Sequence, residues 1–152
     1  MSQFAADDLI FLDKSIFNEK TGWWFQTYAS IDEEAQYDAD IWRDATWSIV
    51  AAMIINDWLF CTGIKQSYYS KKQFLEWLEN ELLATLQQMY RDKSLVIVLN
   101  NCSSHVDSKV EQMIETADHL ICYLSSYLPD FNSIELTFSV LKIWIWQNYC
   151  FI

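Results

Sequence analysis

Glycine and proline are almost missing from this chain, with two of the first and one of the second in 152 residues. That is about 2%, where average usage is roughly 12%. No internal repeat or low-complexity tract interrupts the sequence, so it shows no linker between domains. Long apolar runs are missing too. The longest, Trp47 to Ile55, is far too short to span a bilayer, and no membrane partner is expected. No charged-then-apolar leader opens the chain, which predicts an intracellular protein. The four cysteines, Cys61, Cys102, Cys122 and Cys150, form no CxxC pair and read as reduced thiols without a metal role. Basic residues are scarce, 10 against 21 acidic, for a net charge of −11. Affinity for phosphates comes largely from Lys and Arg displacing counterions. Composition alone therefore argues against nucleic acid as a partner.

What the chain has in abundance is apolar and aromatic surface. Apolar residues make up 52%, with 8 Trp, 8 Tyr and 9 Phe, which excludes a disordered chain. At this length it is one domain, residues 1–152, able to bury a core. Leu9-Ile-Phe-Leu-Asp13 predicts a first strand closing on an acid. Thr21 to Tyr28 reads as a hairpin or loop, and Ile31 to Asp44 as a solvated loop. Thr46 to Ile55 and Leu59 to Lys65, parted by Asn56-Asp57-Trp58, predict a hairpin.

Ser70-Lys-Lys-Gln73 is a capping-box start. Phe74, Leu78, Leu82, Leu86 and Met89 follow at helical spacing. Leu95 to Leu99 is a continuous apolar run, predicting a central strand buried on both faces. Asp107 can cap a helix carrying Val110, Met113, Ile114 and Ala117. His119 to Leu124 predicts another strand, and Asn132 opens a last helix. Strands come first, then strand and helix alternate. That order predicts an α/β fold with a mixed sheet flanked by helices.

Two stretches say more. The apolar strand runs into a polar cluster, Val96-Ile-Val-Leu-Asn-Asn-Cys-Ser-Ser-His105. A turn-rich loop then delivers a carboxylate onto a helix, Tyr123-Leu-Ser-Ser-Tyr-Leu-Pro-Asp-Phe-Asn-Ser-Ile-Glu135. Between Asn100 and Glu135 lie 34 residues. This resembles the catalytic core of the DDE transposases of the Tc/mariner group (insertion-sequence-630 type). In that family the stretches look like VLDNASxH and YLPPYSPDLNPIEL. Weaker likeness runs from about Leu9 to Asn148, through Phe11-Leu-Asp-Lys-Ser, Cys61-Thr-Gly-Ile and Phe74-Leu-Glu-Trp-Leu.

The resemblance implies a ribonuclease-H-like fold, without the family's N-terminal helix-turn-helix domain. Members cut and rejoin DNA with two divalent cations, Mg²⁺ or Mn²⁺, held by three carboxylates. One cation activates the attacking oxygen and the other stabilises the leaving one. Carried over by position, the catalytic and metal-binding set is Asp13 at the end of the first strand, Asn100 at the end of the central strand, and Glu135 in the last helix. The implied partners are double-stranded DNA at transposon ends and a second copy of the chain, in the nucleus. Taken singly, each position has an ordinary reading. Asp13 is a strand-end carboxylate, Asn100 and Asn101 are turn formers, Asn132-Ser-Ile-Glu135 is itself a capping box, and His105 is a loop histidine.

Asn100 departs from the pattern, since the family has Asp there. An amide oxygen offers a cation only a neutral dipole, and the NH₂ on its other side repels one. Little or no strand cleavage is expected. The alternative is a non-catalytic remnant or domesticated module that binds protein, or DNA weakly. Other departures share one character. Ser125, Ser126 and Ser133 stand for Pro, Leu128 for Ser, Phe131 for Leu and Lys14 for Glu, and Trp146 and Gln147 fall at Arg-rich positions. Each is reachable by one C-to-T or G-to-A transition. That predicts a transposon copy, fungal in type, decayed by directional mutation, which also accounts for the scarce Gly and Pro and the acidity.

Overall fold

The computed structural model describes residues 4–17, 46–55, 59–100, 107–125 and 132–149. The expected loops at Thr21–Tyr28, Ile31–Asp44 and Asn56–Trp58 lie outside the described residues, as do Asn101 and His105.

Alternation of side chains along the strands decides which residues share a face. In β1 (Leu9–Phe17), Ile10 and Leu12 join one apolar cluster while Phe11 and Phe17 join another. β2 (Trp47–Ile54) pairs antiparallel with β1, and β3 (Leu59–Gln66) pairs antiparallel with β2. β4 (Val96–Asn100) runs parallel to β1, and β5 (Leu120–Leu124) parallel to β4. The sheet order is β3-β2-β1-β4-β5. The expected hairpin and mixed sheet are therefore present, with β1 rather than β4 in the middle. Val96 to Leu99 is nonetheless buried on both faces, with Val96 and Val98 in one cluster and Ile97 and Leu99 in the other.

α1 (Lys71–Trp77) begins with the expected box. Ser70 Oγ accepts from the Gln73 N–H at 3.3 Å, and Gln73 Oε1 accepts from the Ser70 N–H at 3.1 Å. The helix continues through a π-helical segment, Leu78–Leu83, into α2 (Ala84–Met89). Repetition at four residues explains the π turn. Each such step overshoots a 3.6-residue α-turn by about 40°, so an α-helix would swing the stripe by about 120° over three steps. The wider π turn absorbs that drift and keeps Phe74, Leu78, Leu82 and Leu86 buried together. Each such side chain contributes roughly 2 kcal/mol by leaving water, which outweighs the irregular backbone. The stripe stops at Leu86. Met89 was expected on it but is 49% exposed, and Tyr90 packs on the core instead.

α3 (Ser108–Thr116) starts at Asp107, whose Oδ1 accepts from the Lys109 N–H at 3.1 Å. Lys71 at the start of α1 binds the same carboxylate at 2.7 Å, tying the two helix starts together. Val110 and Ile114 complete the cluster on this face. The opposite face is covered by α4 (Ser133–Tyr149), through Ile134, Phe138, Leu141 and Ile145. Among the described residues, no helix is long and apolar enough to cross a membrane.

Of the two glycines, Gly63 has a visible reason. A Cβ there would stand 2.7 Å from Trp77 Cδ1 and Tyr69 Oη, so only a bare backbone lets β3 lie under the Trp77 ring. His119 precedes β5 instead of belonging to it. Its buried Nδ1 accepts from the Leu95 N–H at 3.3 Å. Burial lowers its pKa, which keeps the ring neutral and suits that acceptor role.

Candidate active site

Strand register brings the first two positions together. Leu12 of β1 and Leu99 of β4 are paired residues, so Asp13 and Asn100 follow side by side where the parallel pairing of the two strands ends. Alternation puts Asp13 on the face of Phe11 and Phe17, and Asn100 on the face of Val96 and Val98. That is the face covered by α4. Glu135 lies in the first turn of α4, next to buried Ile134. In open α/β sheets such strand ends are where ligands bind.

Asp13 does not end its strand. β1 runs on to Phe17, paired with β2 through Phe17↔Trp47, and only the parallel pairing with β4 stops at Leu12. The carboxylate thus emerges where β1 loses one neighbour and keeps the other, which anchors it more firmly than a strand terminus would.

Glu135 and Asn100 touch directly. Asn100 Nδ2 donates to Glu135 Oε1 at 2.9 Å. Asn132 Nδ2 in turn donates to Asn100 Oδ1 at 3.2 Å. The expected capping box at Asn132 is not made. Its backbone carbonyl accepts from the Glu135 N–H at 3.0 Å, but its side-chain Oδ1 is buried without a partner among the described residues. Both side chains that the box would use are committed to Asn100.

Asp13 carries the electrostatic strain. Burial, and then the charge of Glu135, push its carboxyl up to about 6. The Lys14 N–H, which donates to Asp13 Oδ1 at 2.7 Å, and the Lys14 and Lys142 ammonium groups act against that rise. Lys142 stands two turns after Glu135 on α4, with its ammonium 5.6 Å from the centre of the Phe17 ring. Sequence reasoning missed Lys142 and missed the side-chain role of Asn132. The signals were there, a seven-residue step along a helix face and the Asn of the family string.

The donor set can be weighed against a hard divalent cation, which takes oxygen ligands. Asp13 and Glu135, near enough for one to raise the other, suit a single cation. The third position answers with an amide whose NH₂ occupies the Glu135 side. Among the described residues no cluster of three His, Cys, Asp or Glu forms. A cavity of about 700 Å³ opens at the other end of the sheet, beside Lys93, Asp118 and His119, and has no part in this chemistry.

The sequence profile of the DDE superfamily endonuclease matches residues 8–151, almost the whole chain. The chain belongs to the DDE superfamily endonucleases. Solved structures agree on the fold of this DDE domain. It superposes on a Mos1 mariner paired-end complex with Mn at a TM-score of 0.66 and 14% identity, over 91% of this chain and 43% of that one. A Mos1 paired-end complex with the left transposon end gives 0.67 and 15%, over 92% and 42%. The Mos1 catalytic domain with Raltegravir and Mg gives 0.60 and 12%, over 91% and 62%. The mixed five-stranded sheet with flanking helices is thus the ribonuclease-H-like fold of those domains. The DDE chain spans less than half of the longer Mos1 chains. No curated protein matches it by sequence.

Proposed function

We propose that this domain descends from a metal-dependent enzyme of DNA strand cleavage and transfer, and that it does not cleave DNA as built. One observation carries the reading. The amide of Asn100 donates to Glu135 at 2.9 Å, where an anionic ligand set would need a third carboxylate. Asp13 and Glu135 would hold one Mg²⁺ or Mn²⁺, with the Asn100 carbonyl as a neutral ligand. A bound cation there supplies charge neutralisation at a phosphoryl oxygen. The chain's own contribution is to hold two carboxylates on a rigid strand and a helix start, with Lys14 and Lys142 as the nearby positive charge. Double-stranded DNA is the substrate class assigned to the ancestral reaction, in keeping with the left transposon end held in a Mos1 paired-end complex.

Supercoiled plasmid incubated with the chain and Mn²⁺ is expected to stay uncut. A duplex oligonucleotide at physiological salt should bind only near the weak end of the non-specific range, about 10⁻⁴ M, because the net charge is −11. Metal-dependent nicking by the unaltered chain, abolished by Asp13→Asn, would sink the reading.

Association with a second copy has an observation of its own. Leu136, Val140, Ile143 and Trp144 are 71%, 58%, 56% and 55% exposed, at helical spacing along the outer side of α4. A soluble surface seldom leaves such a stripe bare. Sedimentation equilibrium should show a homodimer that Ile143→Glu weakens. A monomer at every concentration would remove this second reading.

A further inference from the structure

Asn132 sits just before α4 and is 2% exposed. Its Nδ2 donates to Asn100, yet its Oδ1 is buried with no partner among the described residues. A buried carbonyl without a donor is costly. The described residues hold only the other end of the same amide.

The direction of each bond follows from Glu135 outward. A carboxylate only accepts, so Asn100 must turn its NH₂ toward it. The Asn100 carbonyl then faces Asn132, which must donate. Turning either amide alone would set two oxygens, or two NH₂ groups, against each other. The pair therefore has two self-consistent arrangements, the observed one and the one with both amides reversed. In the reversed one Asn100 donates to Asn132 Oδ1 and shows its own carbonyl to the Glu135 side. An anionic Glu135 forbids that, whereas a cation on Glu135 requires it.

We propose that Asn132 is the positioning residue of position 100, setting through this buried amide–amide bond which end of the Asn100 side chain faces Glu135. Its consequence for cation binding rests on the reading of Asp13, Asn100 and Glu135 as an inherited metal site. Its consequence in the metal-free protein does not. Asn132 touches no reacting atom and acts only through its neighbour.

Side-chain amide NMR of the metal-free chain gives the first test. Asn132→Leu removes the donor, so the Asn100 NH₂ resonances should move and exchange faster with water while β4 and β5 backbone amides stay in place. Asn132→Asp puts an acceptor where the donor stood. Asn100 then has one NH₂ between two carboxylates, so its resonances should move here as well, and this variant also serves where the Leu variant fails to fold. An Asn100 NH₂ unmoved in the folded variants overturns the proposal.

Mg²⁺ titration by calorimetry gives the second test. Asn132→Asp should tighten Mg²⁺ about tenfold, the usual scale for a residue that orients a ligand. Ser133→Asp adds the same charge on an exposed neighbour and should do much less. Equal tightening by both overturns the proposal, leaving charge alone as the cause. Failure of every variant to bind Mg²⁺ overturns the metal-site reading instead, while the NMR result still decides the positioning role.

Discussion

Asn100→Asp should weaken the metal-free domain and restore a metal-dependent reaction at the same time. The Asn100 amide donates to a carboxylate at 2.9 Å and accepts from Asn132 at 3.2 Å. A hydrogen bond to a charged group contributes about 1.5–3 kcal/mol. Replacing the amide with Asp removes that donor and sets a third carboxylate beside Glu135 and Asp13, whose carboxyl is already raised by burial and then by the Glu135 charge. Urea denaturation in EDTA should show a loss of about 2–3 kcal/mol. Saturating Mn²⁺ should return most of it, because a ligand that binds only the folded state stabilises it.

Nicking of a supercoiled plasmid should rise on the order of 10²-fold or more over the unaltered chain, the scale seen when one group stabilising transition-state charge is removed or restored. The paired outcome separates two cases. Stability lost in EDTA and regained with Mn²⁺, without nicking, would mean that the metal site survives and the DNA-positioning surface does not. No response to Mn²⁺ in either assay would mean that these three positions no longer form a metal site.

Asp13→Asn should act in the opposite direction, stabilising the domain by about 2 kcal/mol at pH 7. Its carboxyl is pushed up to about 6, first by burial and then by Glu135. A rise of about two units corresponds to about 3 kcal/mol at most, reduced here because the side chain is only partly buried. The sign follows from proton binding. Below pH ~4 the group is protonated in both the folded and unfolded chain and contributes nothing. Between pH 4 and 6 the unfolded chain ionises first, so stability falls as pH rises. Above about pH 6 the cost is fully present.

The variant is neutral throughout, so its advantage should be absent at pH 4, grow to pH 6 and then level. Asn also keeps an oxygen for the Lys14 N–H. Asp8 and Asp107 are held below the usual range by Lys93 and Lys71 respectively. They lower stability at the acid end in both proteins and cancel in the difference. A stability gain that does not vary with pH would refute the electrostatic explanation. Both substitutions act on one conflict, the repulsion between the Asp13 and Glu135 carboxylates in the metal-free chain. Asn100 relieves it.

Much of the architecture was legible because short-range rules set it. The capping box at Ser70, the continuous apolar strand before Asn100 and the hairpin at β2–β3 each rest on a pattern a few residues long, and each formed. The strings around Asn100 and Glu135 carried the family, which the match over residues 8–151 establishes. Where the reading strayed, a longer-range constraint was at work. The π turn reconciles a four-residue stripe with the core beneath it, so Met89 turned outward. β1 continues past Asp13 because β2 offers it partners that β4 does not.

The sequence by itself determined which residues could form a site, through residue type and spacing. Only the tertiary structure decided what those residues do to one another. The register of β1 on β4 and the seating of α4 bring Asn132, Asn100 and Glu135 into one hydrogen-bonded row. A capping box and the bonds to Asn100 at the end of β4 draw on the same Asn132 and Glu135 side chains. Local sequence favours the first, and the packed neighbour selects the second, because Asn100, half-buried against Glu135, needs both a donor and an acceptor there.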